Sequence, residues 1–349
     1  MNKVLTVVIP TYNMERYLRK CLDSLIIEGK SVFDTLEVLV VIDGAKDSSS
    51  SIAHEYQVKH PNVFKVIDKE NGNYGSCVNR GLKEAKGKYI KILDADDSFN
   101  TKELEQYLTL LLNTDADLVL TDFIQVDEDN KAFASFHFKD VPQGTDFPFE
   151  MLPKANYRSM AMHAVTYKTQ NLRSIDYKQT EGISYTDQEW IYKPFLTVKK
   201  VYYCKLYLYR YLVGRSGQTM DIKVRLKSMK QENIVLKSLI KTYSESYSAD
   251  DYHRYYLKER LYVRLTDTYS MCISSKDESS HKILAETDKY LKDVMEELYR
   301  ETDNYTIPGV IKYKYIKRWR QNHQPMPCMY AYSMLLAKKL ESLKARIKG

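Results

Sequence analysis

Along residues 4–124, short apolar runs alternate with segments of helical periodicity, and nearly every apolar run ends in a polar or acidic cluster. Val4–Ile9 reads as a strand buried on both faces, which Pro10 is expected to stop. Asn13 is placed to cap a helix whose Tyr17, Leu18, Cys21, Leu22 and Leu25 share one face. A second run, Leu36–Ile42, ends at Asp43-Gly44, and Asp47-Ser48 opens a helix carrying Ile52 and Tyr56. Val63–Ile67 is a third strand, followed by a Gly- and Asn-rich loop from Glu70 to Ser76 and a helix with Val78, Leu82 and Ala85. A fourth run, Tyr89–Leu93, ends at Asp94-Ala95-Asp96-Asp97, and Asn100 with Glu103 three residues on has the form of a capping box. Leu118–Ile124 is a fifth strand. This alternation predicts an α/β fold, a doubly wound, mostly parallel sheet with helices on both faces. Right-handed crossovers bring the strand C-termini to one edge, where such sheets bind ligands.

The pattern changes beyond Lys131. Lys131–Lys139 alternates like an edge strand, with Ala132, Ala134, Phe136 and Phe138 on one face. Ala161–Tyr167 and Val201–Tyr211 also read as strands, with a helix expected over Asp187–Leu196. From about Asp221 the chain reads as helices broken near Ser248, Lys276, Asn304 and Pro325–Pro327, so a boundary is placed near residue 220. The 30 tyrosines cluster after Tyr157 and suit half-buried strands more than sugar-stacking platforms.

Charge narrows the functional classes. The net charge is +7, and the excess is concentrated in Ile311–Gly349. There Tyr330–Lys348 has the pattern of a basic amphipathic helix, able to meet anionic lipid, to pack on its own domain or to form a dimer. The five scattered cysteines form no pair at metal or redox spacing, and most should be buried thiols. No secretory leader and no apolar stretch of spanning length is visible, so cytoplasmic work is expected, with peripheral contact at the inner face of the membrane left open.

Asp94, Asp96 and Asp97 carry the chemistry. Carboxylates this close repel one another unless a cation or hydrogen bonds compensate. An Asp-x-Asp step at a strand end can turn two oxygens toward one Mg²⁺ or Mn²⁺, which could then hold a diphosphate. In isolation such a cluster could be a capped polar turn; after a buried strand the metal reading is favoured. Asp43 could take the imide N–H of a uracil-type base or a ribose hydroxyl, and the Asn71–Gly75 loop lets backbone approach a ligand. His163 lies in a strand-like stretch and reads as a packed residue. Gly81 and Gly87-Lys88 do not have P-loop spacing, and no GxGxxG follows the first strand, which disfavours ATPase and dinucleotide-binding functions.

Four ordered segments now form one pattern: Val7–Asn13, Val40–Gly44, Glu70-Asn71-Gly72 with Asn79, and Leu93–Asp97. Together they resemble the family 2 glycosyltransferases, which have the GT-A fold. Tyr185–Trp190, Tyr209-Arg210 and Arg215–Gln218 are similar to bacterial members acting on cell-surface glycans, and the match fades after about residue 220. The resemblance implies an inverting transfer from a nucleotide-diphosphate sugar, with a UDP-sugar favoured, to a glycan, lipid-linked or teichoic-type acceptor. It implies no nucleic-acid partner. It divides the chain into a catalytic domain over 1–220, with a nucleotide-binding half at 1–110 and an acceptor half at 111–220, and a helical domain over 221–349. Pro10, Thr11, Tyr12, Asn13, Asp43, Asn71, Gly72, Asn79, Asp94, Ala95 and Asp96 would line the nucleotide. Asp94, Asp96 and Asp97 would hold the metal. Asp187 matches the family's general base, and Arg210, Arg215 and Gln218 would meet the diphosphate or acceptor. Two positions depart from the family pattern: Ile42 precedes Asp43 where a second aspartate is common, and Thr186 precedes Asp187 where glutamate is common. Thr186 with Glu189 would also make a capping box, a structural role for this segment. A nucleotidyltransferase would need a glycine-rich basic turn where Pro10–Met14 stands. A non-catalytic glycan- or partner-binding module using the tyrosine-rich half would bind without nucleotide or metal.

Overall fold

The computed structural model describes residues 2–215, 228–275, 277–306, 313–327 and 330. The chain divides into two compact units, Met1–Ser216 and Gly217–Gly349. In the first, β1 (Leu5–Thr11), α1 (Glu15–Asp23), α2 (Lys30–Phe33), β2 (Leu36–Asp43), α3 (Ser49–Lys59), β3 (Phe64–Lys69), α4 (Asn73–Glu84), β4 (Tyr89–Ile92), β5 (Ser98–Phe99), α5 (Thr101–Asn113) and β6 (Leu118–Val126) follow in order. Then come β7 (Ala132–Phe136), β8 (Asp146–Pro148), β9 (Val165–Lys168), α6 (Thr169–Ser174), α7 (Asp187–Trp190) and β10 (Lys200–Leu212). The sheet order is β3-β2-β1-β4-β9-β6-β10-β5, with β7 on β6 and β8 on β10. Strands β1, β2, β3, β4, β6 and β10 run one way, and β5, β7, β8 and β9 run against them.

Every residue of β1 and β2 is buried. That is the burial of strands covered on both faces, as their unbroken apolar runs imply. Val7, Ile9, Val38, Val40 and Ile42 share one core with Leu18, Cys21 and Leu22 of α1 and Leu104 and Leu108 of α5. The described cysteines, Cys21, Cys77, Cys204 and Cys272, are buried free thiols; Cys328 lies outside the described residues.

Pro10 does not end the first strand, which pairs with β2 as far as Thr11. The carbonyls of Val4 and Val8 accept from Tyr89 and Leu93, so the even-numbered groups of β1 face β4. That pairing ends at Val8 and Ile92, so the missing N–H of Pro10 falls where no partner strand remains. Asn13 does not cap α1. It sits at φ 52°, and its Oδ1 accepts from the amide of Lys46 (2.8 Å), tying the β1 and β2 loops together. Asn100 occupies the N-cap of α5 without a side-chain bond, and one buried Glu103 oxygen has no partner, so the expected capping box does not form. The Ala161–Tyr167 run is a 3₁₀ turn at Met162–Ala164 that leads into β9. The helix expected over 187–196 is a single turn, α7, and a 3₁₀ turn at Lys193–Thr197; Pro194 removes an N–H from a continuous helix there.

The second unit consists of α8 (Met229–Glu245), α9 (Asp251–Ser274), α10 (Glu278–Val294), α11 (Glu296–Thr302) and α12 (Tyr315–Asn322). Asp250 and Asp277 cap α9 and α10 by accepting two backbone amides each. Arg320 of α12 donates to Asp288 (2.7 Å), Asp303 (2.8 Å) and the Tyr299 carbonyl (2.8 Å), joining three helices through one fork. No described helix is long and apolar enough to cross a membrane. The basic segment 331–349 lies outside the described residues.

One glycine fixes the loop that faces the strand ends. A Cβ on Gly75 would stand 2.0 Å from the Thr180 carbonyl oxygen, backbone against backbone. Gly75→Ala is therefore expected to cost about 1–3 kcal/mol and to lower the denaturant midpoint. It should also speed amide exchange in residues 177–182; unchanged exchange there would show that the contact can yield.

Candidate active site at the strand C-termini

Asp43 ends β2 and Asp94, Asp96 and Asp97 follow β4, and the candidate residues around them fall into two neighbourhoods. The first surrounds Asp43. This buried carboxylate accepts from Lys69 Nζ (2.5 Å) and the Gly72 amide (2.9 Å), while the Asn71 side-chain amide donates to its carbonyl (2.9 Å). Gly44 at φ 67° lets the chain reverse there, with the Asn71 amide 3.0 Å from where a Cβ would be. Thr11 is buried with its hydroxyl turned back to the Ile9 carbonyl, whereas Tyr12 is 45% exposed. Asn79 has a different task. Its amide nitrogen donates to the Gln179 carbonyl and to Glu181 (2.8 Å each), and its oxygen accepts from the Gln179 amide (2.8 Å). It is a strut between α4 and the segment leading to Asp187.

The second neighbourhood is acidic. Asp94 accepts from the Tyr74 hydroxyl (2.7 Å). Asp97 accepts from the Tyr209 hydroxyl (2.6 Å) and the Leu212 amide (2.7 Å). Asp96 turns to Arg215 (2.5 Å), whose guanidinium lies 5.5 Å from the ring centre of Tyr17. Burial, then the charge of Asp96, pushes the Asp94 carboxyl up to about 7, and Asp187 adds to the shift. Burial, then the charges of Asp96 and Asp94, hold Asp97 well above the carboxylate range. A cation among these groups would relieve both costs.

Asp187 opens α7 and is half-buried. The Tyr185 turn before it has φ 66°, in the left-handed region. The capping-box alternative fails: the Thr186 hydroxyl accepts from Gln179 (2.9 Å), and Glu189 is bonded to the amide and hydroxyl of Thr180 (2.7 and 2.8 Å). Glu189 therefore braces the 177–182 segment, and the charge of Asp187 adds to the upward shifts of Asp94 and Tyr74.

Arg210 does not join this group. Residues alternate between sheet faces along β10. Tyr209 and Tyr211 face the aspartates, so Arg210 points the other way and donates to the Asn130 carbonyl (2.9 Å). Gln218 lies outside the described residues. His163, which reads from sequence as a packed strand residue, stands instead in the 3₁₀ turn beside the cluster. Ligand atoms of Asp94, Asp97 and His163 all lie within 4.8 Å of one another. Burial, then Lys91, lowers the imidazole to about 3, so the ring is neutral. Its buried Nδ1 has no hydrogen-bond partner. Two carboxylates and a neutral imidazole with a spare lone pair fit a divalent cation.

The raised Asp94 value carries a pH prediction. Between 3.8, the ordinary value, and about 7, the folded protein keeps a proton that the unfolded chain has released. Stability of the metal-free protein should therefore fall as pH rises through that window. Asp96 and Asp187 strengthen the effect, while Tyr74 and Arg215 oppose it. A divalent cation should recover the lost stability, read as a rise in Tm that grows with pH across the same window; a Tm in chelator that rises with pH there would contradict the assignment.

Comparison with known proteins places the chain. The family described as Glycosyl transferase family 2 matches residues 6–174. The chain is similar to an uncharacterized glycosyltransferase, the MG025 homolog of Mycoplasma pneumoniae. The two are 44% identical over 96 residues, covering 27% of this chain and 31% of that one. It is also similar to the poly(ribitol-phosphate) beta-glucosyltransferase of Bacillus spizizenii, 26% identical over 227 residues, 62% of this chain and 33% of that one. The alignments thus span about a third of these relatives' own length. Among solved structures, S. aureus TarS 1–349 in complex with UDP-GlcNAc superposes with a TM-score of 0.66 at 19% identity, over 92% of each chain. That likeness shows the fold: a mixed, mostly parallel GT-A sheet followed by a helical region.

Proposed function

Because this chain belongs to the family 2 glycosyltransferases through the domain over residues 6–174, we propose that it is a metal-dependent inverting transferase. It moves a sugar from a nucleotide-diphosphate donor to a bacterial cell-surface glycan, glycolipid or teichoic-type acceptor. One observation carries this reading: ligand atoms of Asp94, Asp97 and His163 lie within 4.8 Å of one another, and the charge of Asp187, far along the chain, reaches Asp94.

The nucleoside lies over the Tyr12 and Asn13 turn, with Asp43, Asn71 and Gly72 as the polar floor. Asp94 and Asp97 would hold Mg²⁺ or Mn²⁺. When bound, the metal supplies charge neutralisation for the departing nucleoside diphosphate. Asp187 takes the acceptor hydroxyl proton as the oxygen attacks the anomeric carbon and the bond to the diphosphate breaks on the opposite side. Arg215 exchanges Asp96 for the diphosphate, a charge-assisted contact of the kind guanidinium forks make. The TarS neighbour, described with UDP-GlcNAc, makes uridine donors the first to test. The reaction belongs on the cytoplasmic side of the membrane, with a peripheral contact or a dimer through the C-terminal helices.

The test is donor hydrolysis over a panel of UDP-, GDP- and dTDP-sugars with Mn²⁺, Mg²⁺ or chelator. Turnover of one nucleotide class that is lost in chelator is the expected result. Full turnover in chelator would reject metal dependence, and nucleotide-independent glycan binding without turnover would reject the transferase reading.

Arg215→Ala should raise the apparent donor KM roughly tenfold, the range of one charge-assisted hydrogen bond. It should also free Asp96. An unchanged KM would place the diphosphate elsewhere.

A further inference from the structure

The three aspartates are not equivalent, and a third candidate ligand comes from a turn distant in sequence. Asp96 is paired to Arg215, whereas His163 approaches Asp94 and Asp97 from the turn before β9. Three rings fix the imidazole. Tyr211 stacks on it with centroids 4.4 Å apart, Tyr209 meets it edge-on at 4.7 Å, and Phe123 lies at 5.1 Å. Although the residue as a whole is only partly buried, its Nδ1 is closed off from solvent and bonded to nothing. An unpaired buried acceptor is costly, and a metal bond would satisfy it.

The turn is fixed from below by an unusual group. Lys91 of β4 is wholly buried, and its Nζ donates to the carbonyls of His163 (2.7 Å) and Val165 (3.1 Å). β4 is also the strand that delivers Asp94 three residues later. One lysine therefore ties the aspartate loop and the histidine turn to the same strand, holding their separation.

We infer that His163 is a ligand to the catalytic divalent metal, together with Asp94 and Asp97, and that Lys91 is the positioning residue that holds it there. The inference rests on the metal-dependent reading above and adds an imidazole nitrogen to a set that sequence motifs assign to oxygen alone.

The experiment reads coordination directly, without turnover. The full chain labelled with ¹⁵N-histidine is loaded with Mn²⁺ and UDP, and the electron spin-echo modulation is recorded. Modulation from a directly bound histidine nitrogen is expected. It should vanish in His163→Gln, with Mn²⁺ affinity lowered roughly tenfold or more; Lys91→Met should weaken affinity about tenfold as an outer-shell change. The modulation must persist in His137→Gln, which removes the imidazole near buried Asp122. That control still decides if His163→Gln fails to fold, because loss of the signal there would overturn the assignment. Mn²⁺ bound without histidine modulation, or modulation surviving in folded His163→Gln, would overturn the inference and leave metal dependence intact. No Mn²⁺ binding by the native chain would overturn both.

Discussion

Asp187→Asn is expected to lower kcat by about a thousandfold, within the range for removing a positioned general base, while UDP and Mn²⁺ still bind with native affinity. The substitution keeps the size of the side chain and an oxygen that can accept from Gln188 Nε2, which now donates to Asp187 at 2.7 Å. The brace around it does not depend on its charge, because Glu189 and Thr186 bond to Thr180 and Gln179. The fold and the nucleotide floor should therefore survive, and the loss should fall on the chemical step. Calorimetry with UDP and Mn²⁺ beside steady-state turnover separates the two. A kcat within tenfold of native would remove Asp187 as the base.

Asp94→Asn should be as damaging to turnover but by another route. Its Oδ1 can still accept from Tyr74, so the local packing is kept, but one anionic ligand is lost. On the proposed mechanism, losing this charge would remove several kcal/mol of leaving-group stabilisation, about a thousandfold or more in rate. Unlike Asp187→Asn, this variant should fail to bind Mn²⁺ in the presence of UDP. In chelator it should be no less stable than native near neutral pH, because burial already holds that carboxyl up to about 7. The pair of variants thus distinguishes a metal ligand from a base: one loses Mn²⁺, the other only rate. Native Mn²⁺ affinity in Asp94→Asn would refute the ligand assignment.

Much of the site was legible in the residues because its signals are local. A buried strand followed at once by acids is a chain-level pattern, and parallel strands with right-handed crossovers deliver their ends to one rim. That logic brings Asp43, Asp94 and Asp97 to the same edge. Period-two alternation also decides Arg210, but only once the structure shows that Tyr209 faces Asp97. The face of a strand follows from local pattern, whereas the identity of the inward face needs a partner. Asn79 shows the same limit: its place on α4 is regular, but its bonds go to residues 179 and 181, a hundred positions away.

By itself the sequence determined the strand–helix alternation, the acidic strand ends and the family pattern, since each depends on neighbours within a few residues. Tertiary structure alone decided that Asp96 pairs with Arg215, that Asn13 bridges two loops, and that His163 turns toward Asp94 and Asp97 beneath three aromatic rings. The last of these depends on antiparallel β9 inserting between β4 and β6. That pairing joins segments 77 to 79 residues apart, Tyr89 with Lys168 and Ile90 with Tyr167, through contacts that no local periodicity encodes.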